Sequence, residues 1–225
     1  MPNMTLYHGS PKIVRNPEYG KGKPYNDYGC GFYCTENIAL AGEWACGENA
    51  DGFVNQYEIN PEELHILNLS SEQFTILHWL ALLVKYRRIR ISTPVMKRAV
   101  EYLTEHFLPE LDRYDAVIGY RADDSYFSFA RAFVGNEISL HQLSYAMKLG
   151  ELGEQFVLKS EKAFASIRFI SCGEVSSAVY FPKRKQRDDA ARAAFRKELD
   201  REDLDGLFIR DIVRERILPD DPRLR

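Results

Sequence analysis

The chain has 225 residues, of which 45% are hydrophobic and 28% charged, enough for one medium domain with a small appendage. Its formal charge of -3 does not predict nucleic acid as the main partner, because binding to a phosphate backbone depends on a basic surface. The first residues lack the features of a signal peptide, and the longest apolar run, residues 75–84, is too short to cross a bilayer. We therefore expect a cytoplasmic protein.

The first third of the chain has the character of short strands joined by polar loops. A loop rich in Gly, Pro, Asn and Tyr, residues 15–27, separates the first two strands. A helix is predicted after the second strand, with Thr35 as its N-cap and Gly47 as its stop. The predicted strands cover residues 4–8, 31–35, 53–59 and 64–69.

The middle of the chain is predicted to be mainly helical. Ser70 and Gln73 have the spacing of a capping box, which predicts a helix over residues 71–88. Pro94 stands at a favourable first helical position and predicts a second helix over residues 94–108.

The region that follows alternates between strands and helices. Residues 114–120 form a short apolar run typical of a strand, and Ser139 with Gln142 predicts a capped helix. Residues 154–160 and 165–172 are predicted to be the last paired strands.

The composition changes after Pro182, where the chain becomes charged and rich in alanine. We predict one domain over residues 1–182 and a charged amphipathic helical tail over residues 183–225. A charge run of this kind is usually the solvated face of a helix. The alternative is a partner-binding helix with an apolar stripe. That stripe consists of Leu207, Ile209, Ile212, Val213 and Ile217.

The four cysteines do not predict a metal site. Cys30 and Cys34 are close in the sequence, but no second pair accompanies them. We interpret these two, Cys46 and Cys172 as reduced thiols that pack as small apolar residues.

The first two strands carry residues suited to a pocket for a flat ring joined to a ribose. Gly9 permits close backbone approach, so that its amide and carbonyl can meet a carboxamide. His8 can hydrogen-bond a ribose hydroxyl, and Tyr33 offers a ring face for stacking, with Gly29 and Gly31 clearing space beside it.

The stretches "YHGS" (residues 7–10) and "GCGFYCT" (residues 29–35) resemble the first two motifs of the ADP-ribosyltransferase superfamily in its His-Tyr-Glu lineage. That lineage includes diphtheria toxin and the poly(ADP-ribose) polymerases. The resemblance places Tyr33 at the nicotinamide-stacking position. It implies NAD as substrate, bound by His8, Gly9, Ser10, Tyr25, Tyr28, Gly31, Tyr33 and Arg121, with no metal.

The chain up to about Phe169 more closely resembles a bacterial family, the domain-of-unknown-function 3990 family. The stretches "DAVIGYRADDSYFSFARAF" (residues 115–133) and "KLGELGEQFVLKSEKAF" (residues 148–164) carry this second likeness.

The third motif of the superfamily offers two candidates. Glu154 or Gln155 would bond the hydroxyl of the nicotinamide ribose, and only one can face the pocket because adjacent strand residues point to opposite sides. We favour Gln155, which brings no charge to the developing cation. Asp123 and Asp124 are candidate sources of a carboxylate, or equally N-caps of the next helix.

Two further alternatives concern the loops. Tyr25 and Tyr28 either fold over the ligand or anchor their loop on the core, and we favour the anchor. Arg121 either holds a pyrophosphate or pairs with the neighbouring aspartates.

The resemblance implies an α+β fold with a split antiparallel β core, covering helices and a C-terminal helical extension. It implies NAD-dependent ADP-ribosyl transfer to a macromolecular acceptor, as the toxin of a bacterial toxin–antitoxin pair whose antitoxin meets the C-terminal helices. The alternatives are an NAD glycohydrolase, a catalytically weak module that binds NAD or another nucleotide, and an interaction protein with a vestigial pocket.

Overall fold

The computed structural model describes residues 3–122, 124–148 and 153–225, without the side chains of residues 124–126 and 147–148. The chain divides into two compact units. Unit 1 consists of Met1–Asn68, Glu110–Arg121 and Leu152–Arg187, and unit 2 of Leu69–Pro109, Ala122–Glu151 and Asp188–Arg225.

Unit 1 contains two β-sheets. The first is antiparallel and has the strand order β1 (Met4–Ser10), β3 (Gly52–Ile59), β7 (Arg168–Val175). The second has the order β2 (Phe32–Cys34), β6 (Glu154–Leu158), β5 (Ala116–Tyr120), β4 (Ile66–Asn68). With the helices, these sheets make the protein a mixed α+β structure, as predicted.

The apolar faces of the two sheets form one core in unit 1. Leu6 and Ile59 from the first sheet join Cys34, Phe156 and Leu158 from the second. The amide of Tyr7 also donates to the Thr35 carbonyl at 2.8 Å, and the reverse bond is 2.9 Å long. The strands that carry the "YHGS" and "GCGFYCT" stretches are therefore neighbours.

Two strand pairings differ from the prediction. β4 pairs with β5 in parallel, so the second sheet is mixed rather than antiparallel. Parallel neighbours need a long crossover, and the chain between these strands is long and contains helices. β6 and β7 do not pair with each other, because β6 lies between β2 and β5 while β7 pairs with β3.

The helices of unit 1 lie beside the sheets. These are α1 (Ile38–Ala45), α6 (Glu161–Ser166) and the first part of α7 (Ser177–Leu199). Asn37, rather than Thr35, caps α1, since its side chain accepts from the amides of Ala39 and Leu40. The predicted boundary after residue 182 lies inside α7.

Unit 2 is helical, and its capping partly follows the prediction. Its complete helices are α2 (Ile76–Tyr86), α3 (Pro94–His106), α4 (Asp124–Val134), α5 (Leu140–Lys148) and α8 (Ile209–Glu215). The Ser139–Gln142 capping box is confirmed, with a 2.9 Å bond from the Ser139 amide to the Gln142 side chain. The predicted capping box at Ser70 is wrong, because Thr75 and His78 cap α2.

Three of the five residues in the apolar stripe of the tail are buried in unit 2. Ile209, Ile212 and Ile217 are buried, and the Tyr102 hydroxyl of α3 donates to the Ile217 carbonyl at 3.0 Å. These three side chains are therefore core residues of the unit. No helix in the described residues is long and apolar enough to span a membrane.

Candidate functional site

His8 lies in β1 and is oriented by the backbone of β2. Its Nδ1 is 2.7 Å from the carbonyl oxygen of Tyr33, and its ring is 4.3 Å from the ring of Phe32. A carbonyl oxygen only accepts, so Nδ1 carries the proton and Nε2 of the neutral ring is an acceptor. This tautomer suits a hydroxyl donor, as the ribose prediction requires.

The environment of His8 favours its neutral form. Burial lowers the pKa of His8 below its ordinary value of 6.5, and the hydrogen bond to the Tyr33 carbonyl only partly opposes this shift. The folded protein therefore binds a proton at His8 less readily than the unfolded chain does. The lowered pKa of His8 therefore makes the stability depend on pH. The stability that the neutral His8 ring contributes is complete above pH 6.5 and is lost as the pH falls from 6.5 through the lowered pKa.

We expect His8→Gln to lose less unfolding free energy than the wild type when the pH falls from about 7.5 to about 5.5. The difference is at most about 1.4 kcal/mol per pH unit. Urea denaturation at the two pH values measures it, and His141→Gln, at an exposed position, serves as the control. Equal pH dependence in the wild type and His8→Gln would contradict the assignment.

Tyr33 and Gln155 lie on the same face of the second sheet. Tyr33 pairs with Val157 across β2 and β6, and Gln155 is two residues from Val157, so their side chains point to the same side. Glu154 is exposed, pairs with Tyr120 and points to the opposite side. Of the two candidates for the third motif, Gln155 is the one that shares the face of Tyr33.

Gln155 has a partner that the sequence did not reveal. Its Nε2 donates to the carboxylate of Asp27 at 3.0 Å, and the two side chains are buried, with 5% and 6% of their surface exposed. A carboxylate only accepts, so this contact turns the amide Nε2 toward Asp27 and leaves Oε1 as the acceptor of Gln155. Asp27 is thus a carboxylate in direct contact with the predicted site residue.

The turn that carries Asp27 is held by Tyr33. The amide of Gly29 donates to the Asn26 carbonyl at 2.9 Å, and Gly29 has a φ of 73°, the left-handed region that favours glycine. The Tyr33 hydroxyl donates to the Gly29 carbonyl at 2.6 Å and accepts from the Tyr28 amide at 3.1 Å. Tyr33, the turn, Asp27 and Gln155 therefore form one connected chain of contacts.

The two loop tyrosines have different environments. Tyr28 has no exposed surface, and its hydroxyl donates to the Tyr120 carbonyl at 2.6 Å. Lys159 donates to the Tyr28 carbonyl at 2.7 Å. Tyr28 therefore has the contacts of an anchor, whereas Tyr25 keeps 52% of its surface exposed.

Three small site residues have packing roles. A Cβ at Gly9 would overlap the Ala41 carbonyl oxygen of α1, and a Cβ at Gly31 would lie 2.7 Å from Val157 Cγ1. The Ser10 hydroxyl donates to the Lys12 carbonyl at 2.6 Å and accepts from Asn55 Nδ2 at 3.0 Å. Their roles in ligand binding remain predictions.

Arg121 follows β5, with its guanidinium over the Trp44 ring, 4.6 Å from the centroid. The predicted pairing of Arg121 with Asp123 and Asp124 is not described: Asp123 and the Asp124 side chain lie outside the described residues. Within the part of the chain that is described, no group of three His, Cys, Asp or Glu side chains is placed to hold a metal ion.

A cavity of about 170 Å³ lies at the start of β6. Its lining includes Thr35, Asn37, Glu154 and Gln155. The cavity thus lies beside the third-motif residues Glu154 and Gln155.

Residues 4–169 match the family described as "Protein of unknown function (DUF3990)". Comparison with curated proteins and with solved structures gives no match.

Proposed function

The chain belongs to the DUF3990 family, and we propose that it binds NAD and transfers ADP-ribose to a macromolecular acceptor. The observation that carries the proposal is the connected set of Tyr33, Asp27 and Gln155, with His8 bonded to the Tyr33 carbonyl. The likeness to the ADP-ribosyltransferase superfamily and its split β core belongs to this proposal. The likeness is supported by the position of β1 and β2, which carry the first two motifs and are neighbours.

We assign a role to each residue. His8 Nε2 accepts a hydroxyl of a ribose, and the Tyr33 ring stacks on nicotinamide. Gln155 Oε1 accepts the hydroxyl of the nicotinamide ribose, because its Nε2 is already bonded to Asp27. Gly9, Ser10, Tyr25, Gly31 and Arg121 complete the proposed site, and Tyr28 anchors its loop.

The reaction breaks the bond between the ribose carbon and the nicotinamide nitrogen, whose electron pair leaves with nicotinamide. The positive charge that develops on the ribose is stabilised by the negative charge of Asp27, relayed through the polarised amide of Gln155. The acceptor then forms a bond to the same carbon and loses a proton to solvent. Asp27 thereby supplies the charge that Gln155 lacks.

Gln at the third motif also favours a second candidate function. A neutral amide contributes less to charge stabilisation than a carboxylate, which suits a catalytically weak module that binds NAD. An NAD glycohydrolase differs from the transferase only in using water as the acceptor.

The biological setting proposed is the toxin of a cytoplasmic toxin–antitoxin pair. Because Ile209, Ile212 and Ile217 are core residues of unit 2, we expect an antitoxin to contact exposed residues of α7 such as Lys183 and Arg184.

Incubation with NAD and measurement of released nicotinamide test the function. We expect release by the wild type and a reduction of about 100-fold or more in Tyr33→Ala and His8→Ala. Tyr33→Phe keeps the ring and loses the hydroxyl that holds the turn, so an intermediate rate is expected. Thermal melting of each variant controls for unfolding.

The products distinguish the alternatives. ADP-ribose attached to protein or nucleic acid supports the transferase, and free ADP-ribose supports the glycohydrolase. A rise in melting temperature with NAD but no release of nicotinamide supports the binding module. Neither binding nor release, with NAD in large excess, would refute the proposal.

A further inference from the structure

Two buried hydrogen-bond donors in unit 1 have no acceptor in the described protein. Arg187 donates from Nη2 to the Glu43 carboxylate at 2.7 Å, but its Nη1 is buried without a partner among the described residues. Trp44 follows Glu43 in α1, and its Nε1 is also buried without a hydrogen-bond partner among the described residues. Native proteins pair nearly all such groups, so two together require an explanation.

Several cationic side chains of unit 1 lie near Glu43, the carboxylate that Arg187 contacts. Burial raises the pKa of Glu43, and the positive charges of Arg187, Arg121, Lys183 and Arg184 oppose this shift. Four cationic side chains therefore lie within electrostatic range of one carboxylate. The Arg121 guanidinium also stacks on the Trp44 ring, which holds it in place.

This region adjoins the proposed NAD site. The last turn of α1, which carries Trp44, packs on β1, since a Cβ at Gly9 would lie 2.8 Å from the Ala45 amide nitrogen. Arg121 follows directly after Tyr120, which pairs with Glu154 at the start of β6. Gly9 and Glu154 thus border this region, and they are the sequence neighbours of His8 and Gln155.

We propose that Trp44, Arg121 and Arg187 form an anion site that binds the diphosphate group of the dinucleotide. Arg and Trp side chains only donate, so the ligand must bring acceptors, and the planar fork of Arg matches phosphate oxygens. The negative charge of two phosphates is attracted to these cationic side chains. The identity of this diphosphate as part of NAD rests on the proposed function.

Binding of inorganic pyrophosphate, NAD and nicotinamide riboside, measured by calorimetry, tests the site. Arg187→Lys keeps the charge and a donor for Glu43 but loses the fork. Trp44→Phe keeps a smaller aromatic ring for Arg121 and removes the indole N–H. We expect each variant to weaken pyrophosphate and NAD about ten-fold or more. Nicotinamide riboside, which has no phosphate, should bind all variants equally.

Arg168→Lys is the matched control, because Arg168 also pairs with a glutamate in unit 1 but is exposed. Pyrophosphate that fails to bind the wild type, or binds Arg187→Lys and Trp44→Phe as well as the wild type, would overturn the site. Pyrophosphate binding that depends on both residues, without any NAD binding, would uphold the anion site and refute the proposed function. Melting temperatures establish that each variant is folded.

Discussion

Asp27→Asn is expected to reduce the rate of nicotinamide release about 100-fold while the protein stays folded. Asparagine has nearly the same shape as aspartate, and its carbonyl oxygen can still accept the 3.0 Å bond from Gln155 Nε2. The substitution therefore removes the charge and keeps the orientation of Gln155. Since charge development on the ribose is the step that needs stabilisation, the loss should appear in kcat rather than in NAD affinity.

A double variant makes the test sharper. Asp27→Asn with Gln155→Glu exchanges the two groups, so that the amide is in the loop and the carboxylate is in β6. We expect this variant to recover at least the wild-type rate. Gln155→Glu alone would place two carboxylates about 3 Å apart, and one of them would stay protonated, so it should gain little at neutral pH.

The control for Asp27→Asn is Asp220→Asn, at an exposed position in unit 2, which should leave the rate unchanged. Full nicotinamide release by Asp27→Asn would show that this carboxylate is not the source of the charge. Failure of the double variant alone, with Asp27→Asn slow, would instead locate the effect in the geometry of the loop.

Gly9→Ala is expected to destabilise the protein by about 3 kcal/mol, which lowers the melting temperature by about 10 °C. A Cβ at this position would overlap the Ala41 carbonyl oxygen and lie 2.8 Å from the Ala45 amide nitrogen. Both are backbone atoms of α1, so neither can move away by changing a rotamer. The helix would have to separate from β1.

Gly173→Ala in β7 is the matched control, because a Cβ there meets no heavy atom within 4 Å. Thermal denaturation followed by circular dichroism should give a change within about 0.5 kcal/mol for this variant. If Gly9→Ala melts like the wild type but no longer binds NAD, the position serves the ligand and the packing explanation is wrong.

Short sequence patterns predicted those helix starts that depend only on residues a few positions away. Pro94 and the Ser139–Gln142 pair marked helix starts correctly, because a cap satisfies backbone groups only a few residues away. Ser70 with Gln73 has the same spacing but caps no helix. There the Phe74 amide donates to the Ser71 carbonyl in a turn, and α2 begins only after Thr75.

Pairings between distant segments were beyond the local signals. Nothing in "PYND" indicates that Asp27 will meet Gln155, 128 residues away. The reason for Gly9 likewise depends on how closely α1 approaches β1.

The sequence alone determined that the protein is α+β. It also determined that Glu154 and Gln155 point to opposite sides, because the alternation of side chains along a strand is a property of the backbone. Only the tertiary structure decided which of them shares the face of Tyr33, and that Asp27 is the partner of Gln155. The physical reason is that strand register and loop packing join residues far apart in the chain. Those contacts depend on the complete set of competing interactions rather than on any short stretch.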